Sequence, residues 1–296
     1  MFTHFIVATD LSPASFTVVR CLEGLKAYGA HQCLLLQCLG SNEAPAISFS
    51  SGRAPLEDVL AEQKSMLEQQ GYTVVTRTVV GIPKHEIVRI AAQEEYSLIV
   101  VGSQGQSMVK EKILGGVAYG VLNKSVKPVL VVPVQKKQGL ENECEPVTRC
   151  RFNDHILFAT DFSATADNVF NLVKHLVTQR AGKVTLVHVQ DKTKLEQYLM
   201  ARLEMFNQQD RGRLEKLQQD LLTLGSPQID IEICYGVPYQ EITRIIEERD
   251  VQLVVMGTQG RGFAGEFFLG SVSLNVVRHS SAPVLLIPPV VQAETL

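Results

Sequence analysis

The chain is written twice, and no other feature constrains its fold as tightly. His4-Phe-Ile-Val-Ala-Thr-Asp-Leu-Ser12 returns as His155-Ile-Leu-Phe-Ala-Thr-Asp-Phe-Ser163. The match stays in register: Val80-Gly-Ile-Pro-Lys-His-Glu-Ile-Val-Arg-Ile90 returns as Tyr235-Gly-Val-Pro-Tyr-Gln-Glu-Ile-Thr-Arg-Ile245, and Leu98-Ile-Val-Val-Gly-Ser-Gln-Gly105 as Leu253-Val-Val-Met-Gly-Thr-Gln-Gly260. The ends agree too, Lys127-Pro-Val-Leu-Val-Val-Pro133 against Ala282-Pro-Val-Leu-Leu-Ile-Pro288. A period of about 150 residues is far too long for a solenoid unit and reads as a duplicated domain. The expected domains are 1–135 and 152–296, joined by a polar linker at 136–151 that carries Gly and Pro.

Within the first half, β-branched and leucine-rich runs at 5–9, 33–39, 73–80, 98–101 and 129–132 alternate with segments that keep one apolar face at 14–28, 56–70, 84–94 and 117–125. Five strands alternating with four helices predict an α/β fold, a doubly wound five-stranded parallel sheet in each half. Strands that are apolar almost throughout suit a sheet covered on both faces. Gly71 reads as a helix stop, and Pro83 and Pro238 fall where a first helical turn tolerates a missing N–H. In such sheets a ligand lies beyond the carboxyl ends of the strands, where the winding reverses.

Composition limits the function classes. With 45% hydrophobic and 20% charged residues and a net charge of −3, the chain has neither a global basic field nor a Lys/Arg block for nucleic acid. The opening stretch lacks a signal-peptide pattern and no apolar run approaches a membrane span, so a cytoplasmic, membrane-free protein is expected. The six cysteines include no CxxC, and most sit in apolar runs, where they are expected as small buried thiols. Cys144 and Cys150, in an acidic stretch, read more weakly as a redox or metal pair, having no histidine nearby.

The stretch Gly257-Thr-Gln-Gly260-Arg-Gly-Phe-Ala-Gly-Glu-Phe-Phe-Leu-Gly270-Ser271 lies between a strand pattern and a helix pattern. Glycines there let successive N–H groups converge on an anion, and a helix beginning near Ser271 adds its positive end. A surface loop is the plain alternative. The first strand of each half ends in Ala-Thr-Asp, at Asp10 and Asp161. Asp161 or Ser163 is also suited to cap the next helix, worth about 1 kcal/mol.

These residues resemble the universal stress protein family, as two UspA-type domains in tandem. The resemblance implies an adenine nucleotide alpha hydrolase-like fold with strand order 3-2-1-4-5. Its motif Gly-x2-Gly-x9-Gly-Ser/Thr is complete in the second half as Gly257, Gly260, Gly270 and Ser271. The first half has Gly102, Gly105 and Gly115, but Gly116 replaces the hydroxyl residue, so Asp10 with these three glycines makes at most a weaker second site. Gln106 likewise replaces Arg261, and Gln37 replaces His188. By resemblance, ATP or AMP would lie across the second half, with Ala159, Thr160 and Asp161 meeting the nucleoside and Asp161 meeting any Mg or Mn held by the phosphates. Val189 would read the adenine edge through its backbone, and Met256 and Gly257 would pass beneath the ribose. Gly260, Arg261, Gly270, Ser271, Val272 and Ser273 would surround the phosphates.

No GxxxxGK[ST], kinase set, Ser/His/Asp order or HExxH is present, and no general base is evident. The expectation is a regulatory nucleotide-binding module; slow ATP hydrolysis is one alternative, and a structural pseudo-dimer that binds partner proteins is another. The final strand of each half would be a sheet edge, through which the halves pair or the chain forms a homodimer. The insertion at 41–55 is turn-rich and expected to be mobile. The one at 192–224 is charged and leucine-spaced, suited to pack one face on its own sheet or, alternatively, to dock a partner.

Overall fold

The computed structural model describes residues 1–40, 53–105, 114–136, 144–147, 150–179, 181–192, 203–225, 227–261 and 269–289. The chain divides into two compact units, Met1–Cys150 and Arg151–Leu296. In the first, the apolar runs become strands β1 (His4–Thr9), β2 (Gln32–Leu39), β3 (Thr73–Val80), β4 (Leu98–Gly102) and β5 (Val129–Val132). The amphipathic segments between them become helices α1 (Pro13–Arg20), α2 (Arg53–Gln69), α3 (Pro83–Gln93) and α4 (Gly116–Lys124). All strand pairs are parallel, in the order β3-β2-β1-β4-β5. This is the 3-2-1-4-5 winding, and it sets the ends of β1 and β4 side by side at the reversal point.

Helices cover both faces, so the central strands bury nearly every side chain: Phe5, Ile6 and Val7 on β1 and Leu98, Ile99 and Val100 on β4 are at most 1% exposed. Ser12 caps α1 by accepting the Ser15 N–H at 3.3 Å, and Pro13 and Pro83 occupy first-turn positions. The single helix expected at 14–28 is α-helical only to Arg20. A 3-10 segment, Cys21–Tyr28, follows and ends at Gly29 with φ +81°. Gly24 within it is a poor α-former. Gly71, at φ +86°, stops α2 as its position predicts.

A short antiparallel pair, β6 (Val134–Lys136) and β7 (Cys144–Pro146), brings part of the expected linker back onto the first unit. The Thr17 hydroxyl on α1 donates to the Cys144 carbonyl at 3.0 Å. The cysteines depart from expectation here: Cys21 and Cys150 form a disulfide with Cα atoms 5.2 Å apart, so Cys150 pairs not with Cys144 but with the end of α1. Cys33 and Cys234 are buried thiols, as their apolar runs predict, and burial holds Cys234 above its ordinary pKa.

The second unit repeats the plan with β8 (His155–Ala159), α5 (Ala164–Thr178), β9 (Lys183–Asp191), α6 (Leu203–Leu222), β10 (Gln228–Gly236), α7 (Pro238–Glu248), β11 (Leu253–Gly257), α8 (Ser271–His279) and β12 (Val284–Ile287). Its parallel order, β10-β9-β8-β11-β12, is again 3-2-1-4-5. Helix α6 runs through Asp210 and Gly212, packs on β9 and β10, and buries Leu214 and Leu221. Leu195 and Leu199 of that insertion, and residues 41–52 of the earlier one, lie outside the described residues. The earlier insertion gives way to helix α2 already at Arg53.

Candidate functional site

Beyond the carboxyl ends of β8, β9 and β11 opens a cavity of about 560 Å³. Its lining includes all twelve residues singled out in the second half: Ala159, Thr160 and Asp161 after β8, Val189 on β9, Met256, Gly257, Gly260 and Arg261 at β11 and its loop, and Gly270, Ser271, Val272 and Ser273 at the start of α8. Residues separated by up to 114 positions therefore meet in one crevice, because β8 pairs with both β9 and β11.

Asp161 organises the crevice through backbone donors. Its Oδ1 accepts the Ser163 N–H at 3.0 Å and its Oδ2 accepts the Arg261 N–H at 2.6 Å. The helix cap itself is Ser163, whose hydroxyl accepts the Ala166 N–H at 3.3 Å. Asp161 is thus the clasp that holds the glycine loop to the end of β8. Gly260 must be glycine for that contact: a Cβ there would lie 2.5 Å from Asp161 Oδ2. At α8, Gly270 occupies the cap position with no side-chain cap, so the first-turn N–H groups have no side-chain acceptor from it. The Ser271 side chain is exposed there, whereas the Ser273 hydroxyl is buried and donates to the Gly257 carbonyl at 2.8 Å. Ser273 therefore braces the turn.

The opposite wall was not foreseen. Helix α6 contributes Phe206, Gln209, Asp210 and Arg213. Asp210 Oδ2 accepts the Gln190 side-chain N–H at 2.9 Å and faces His188 Nε2 at 3.5 Å, while Arg213 stands 3.7 Å from Oδ1. His188 Nδ1 lies 2.8 Å from the Thr160 carbonyl, which can only accept, so the proton resides on Nδ1. Burial pushes the His188 imidazole below its ordinary 6.5, against the opposing pull of the Thr160 carbonyl and Asp210. Phe162, at φ +57°, packs against the His188 ring with centroids 4.5 Å apart. A sequence signal did exist: His188 and Gln190 are polar residues two apart within an apolar strand and so share one face.

The first unit is built differently at the same place. The Asp10 clasp survives, its Oδ1 accepting the Ser12 N–H at 3.1 Å and its Oδ2 lying against Gly105. Gly102 ends β4, and Gly115 caps α4 as Gly270 caps α8. However, α2 sends the fully buried Gln63 to this end of the sheet, where it accepts the Thr9 hydroxyl at 2.7 Å and donates to the Ser15 hydroxyl at 3.0 Å. Ser15 corresponds to Ala166, a wall of the second unit's cavity.

Comparison with known proteins agrees with this doubled architecture. The sequence model of the Universal stress protein family matches twice, at residues 1–133 and 153–288. A universal stress protein of Methanocaldococcus jannaschii is 31% identical over 151 residues, spanning 45% of this chain and 93% of its own. The crystal structure of a universal stress protein from Archaeoglobus fulgidus aligns with a TM-score of 0.69 and 26% identity, over 97% of this chain and 99% of its own. A Pseudomonas aeruginosa protein described as functionally unknown shares the fold, with a TM-score of 0.65 and 18% identity over 97% of this chain and 93% of its own. Among the described residues, no helix is long and apolar enough to cross a membrane.

Proposed function

The chain belongs to the universal stress protein family, and from that premise we propose that its second unit is a regulatory adenine-nucleotide-binding module with ATP or AMP as ligand. One observation carries the proposal: the motif residues Gly257, Gly260, Gly270 and Ser271 line a single cavity together with Asp161 and Val189. The backbone donors at the start of α8 suit a phosphate. The apolar walls Val187, Val189, Met256 and Ile242 suit a flat base. Each N–H or hydroxyl bond to a charged phosphate contributes roughly 1.5–3 kcal/mol, so several such donors together with the apolar contacts to the base work against the cost of association.

A phosphate-bound Mg or Mn would find Asp161 at the glycine loop, its two oxygens already accepting backbone N–H groups, with Asp191 and Asp210 elsewhere on the cavity wall. The nucleotide would supply most of its ligands. The first unit, with Gly116 in place of the hydroxyl residue and Gln63 across the strand ends, is proposed not to hold nucleotide at comparable affinity.

Mass spectrometry of nucleotide released from gently purified protein tests this reading, with about one adenine nucleotide per chain expected. A preparation that carries none and gives no heat with ATP in calorimetry would remove it. Phosphate release during incubation with ATP separates binding from slow hydrolysis, and sustained turnover that Asp161→Ala abolishes would replace the non-catalytic reading.

A further inference from the structure

Two arginines from separate elements converge on one aromatic ring in the crevice. The guanidinium of Arg213, on α6, lies 5.1 Å from the Phe162 centroid, and that of Arg261, in the glycine loop, lies 5.9 Å from it. A guanidinium held on a ring face by cation–π attraction keeps its N–H edges available for anions. Three carboxylates share the crevice, Asp161, Asp191 and Asp210. Asp161 is turned to the Ser163 and Arg261 backbone N–H groups and Asp210 to the Gln190 amide, with Arg213 3.7 Å away, so neither guanidinium is locked in a close ion pair with these two.

The first unit lacks the whole group. Leu11 stands for Phe162, Gln37 for His188 and Gln106 for Arg261. The buried pairs Leu60/Leu214 and Leu67/Leu221 set the register of α2 against α6, which puts Val59 opposite Arg213. Aromatic, imidazole and both guanidiniums disappear together, as expected of parts that serve one purpose.

We propose that Arg213, Phe162 and Arg261 form a polyphosphate clamp that makes the second unit select nucleoside triphosphate over monophosphate. The inference rests on the nucleotide reading of this crevice. Neutral N–H donors of the glycine loop and α8 suffice for one phosphate. Two guanidiniums on separate elements beyond them offer contacts to the distal phosphates of a triphosphate, whereas a single phosphate seated on the α8 N–H groups cannot engage both. Arg213 lines the cavity and is half-exposed, so its guanidinium is open to an entering ligand.

Calorimetry on the full chain with ATP, ADP and AMP tests the clamp. For the wild-type protein ATP is expected to bind at least about tenfold tighter than AMP, with ADP between, and the ratio to shrink as salt rises. Arg213→Gln and Arg261→Gln should each cut the ATP/AMP ratio by about five- to tenfold, and the double variant should bring it near unity. Phe162→Leu, which installs the first unit's residue and frees both guanidiniums, should do the same in milder form, while thermal melts of each variant report the fold separately. Equal wild-type affinity for ATP and AMP, or a ratio that survives the double variant, overturns the clamp and leaves the nucleotide reading standing. A wild-type chain that binds none of the three removes both.

Discussion

The glycine loops of the two units keep the same spacing for a reason internal to each. A Cβ at Gly260 would meet Asp161 Oδ2, and one at Gly105 would meet Asp10 Oδ2. Gly257 lies against Thr165 and the Gln259 carbonyl, and Gly102 against Val18 and the Gln104 carbonyl. All of these contacts lie within the chain. The surroundings diverge: Ser271 against Gly116, Phe162 against Leu11, His188 against Gln37, and a cavity wall at Ala166 where Gln63 bonds Ser15. The glycine spacing is therefore required by the strand-to-helix turn in both units and does not by itself tell them apart; the side chains around it do.

The largest contrast between units is covalent. Cys21→Ser, or reduction with dithiothreitol, should destabilise the first unit by about 2–4 kcal/mol in chemical denaturation and leave the second unit's transition in place. Equal sensitivity of both transitions would mean that the units do not unfold separately. Next, Gly260→Val and Gly105→Val should each cost about 1–3 kcal/mol of stability through the clash with aspartate. Only the former should abolish ATP binding in calorimetry. If Gly105→Val removes binding as well, the asymmetry between units is wrong.

Asp161→Ala strands the Arg261 and Ser163 N–H groups, so nucleotide affinity should fall by about 1–3 kcal/mol, while Asp10→Ala leaves it within about twofold. A pH effect should be smaller. Burial lowers the pKa of His155 and His188, both in the second unit, from the ordinary 6.5. The unfolded chain then binds protons more readily than the folded one just below that value. The stability these residues contribute is full above pH 6.5 and declines as pH falls beneath it. His188→Gln, the first unit's residue, should flatten that decline in denaturation series run from about pH 5 to about pH 8. Smallest of all is Gly116→Ser. A Cβ there has no neighbour within 4 Å, so the change should shift stability by less than about 0.5 kcal/mol and leave the stoichiometry at one nucleotide per chain.

Much of the architecture was legible because doubly covered strands are written as continuous apolar runs and because Pro83, Pro238 and Gly71 mark helix ends by backbone chemistry alone. The gathering of Asp161 and the glycine loop followed from strand ends meeting at the winding reversal. Two features were hidden. Asp210 and Arg213 look like the solvated face of a charged helix, and only the packing of α6 on β9 and β10 carries them to Gln190 and Phe162. The partner of Cys150 depends on the chain returning to α1 after 129 residues, a tertiary approach that cysteine spacing does not encode.

That bridge also changes the topology of cleavage. Everything from Cys21 to Cys150 is a covalent ring, so one peptide-bond cut anywhere within it opens the ring without parting the molecule. Such a nicked chain would travel at full mass on a non-reducing gel and separate into two pieces only once reductant is added. The first unit can thus lose backbone continuity and keep its covalent connection to the second.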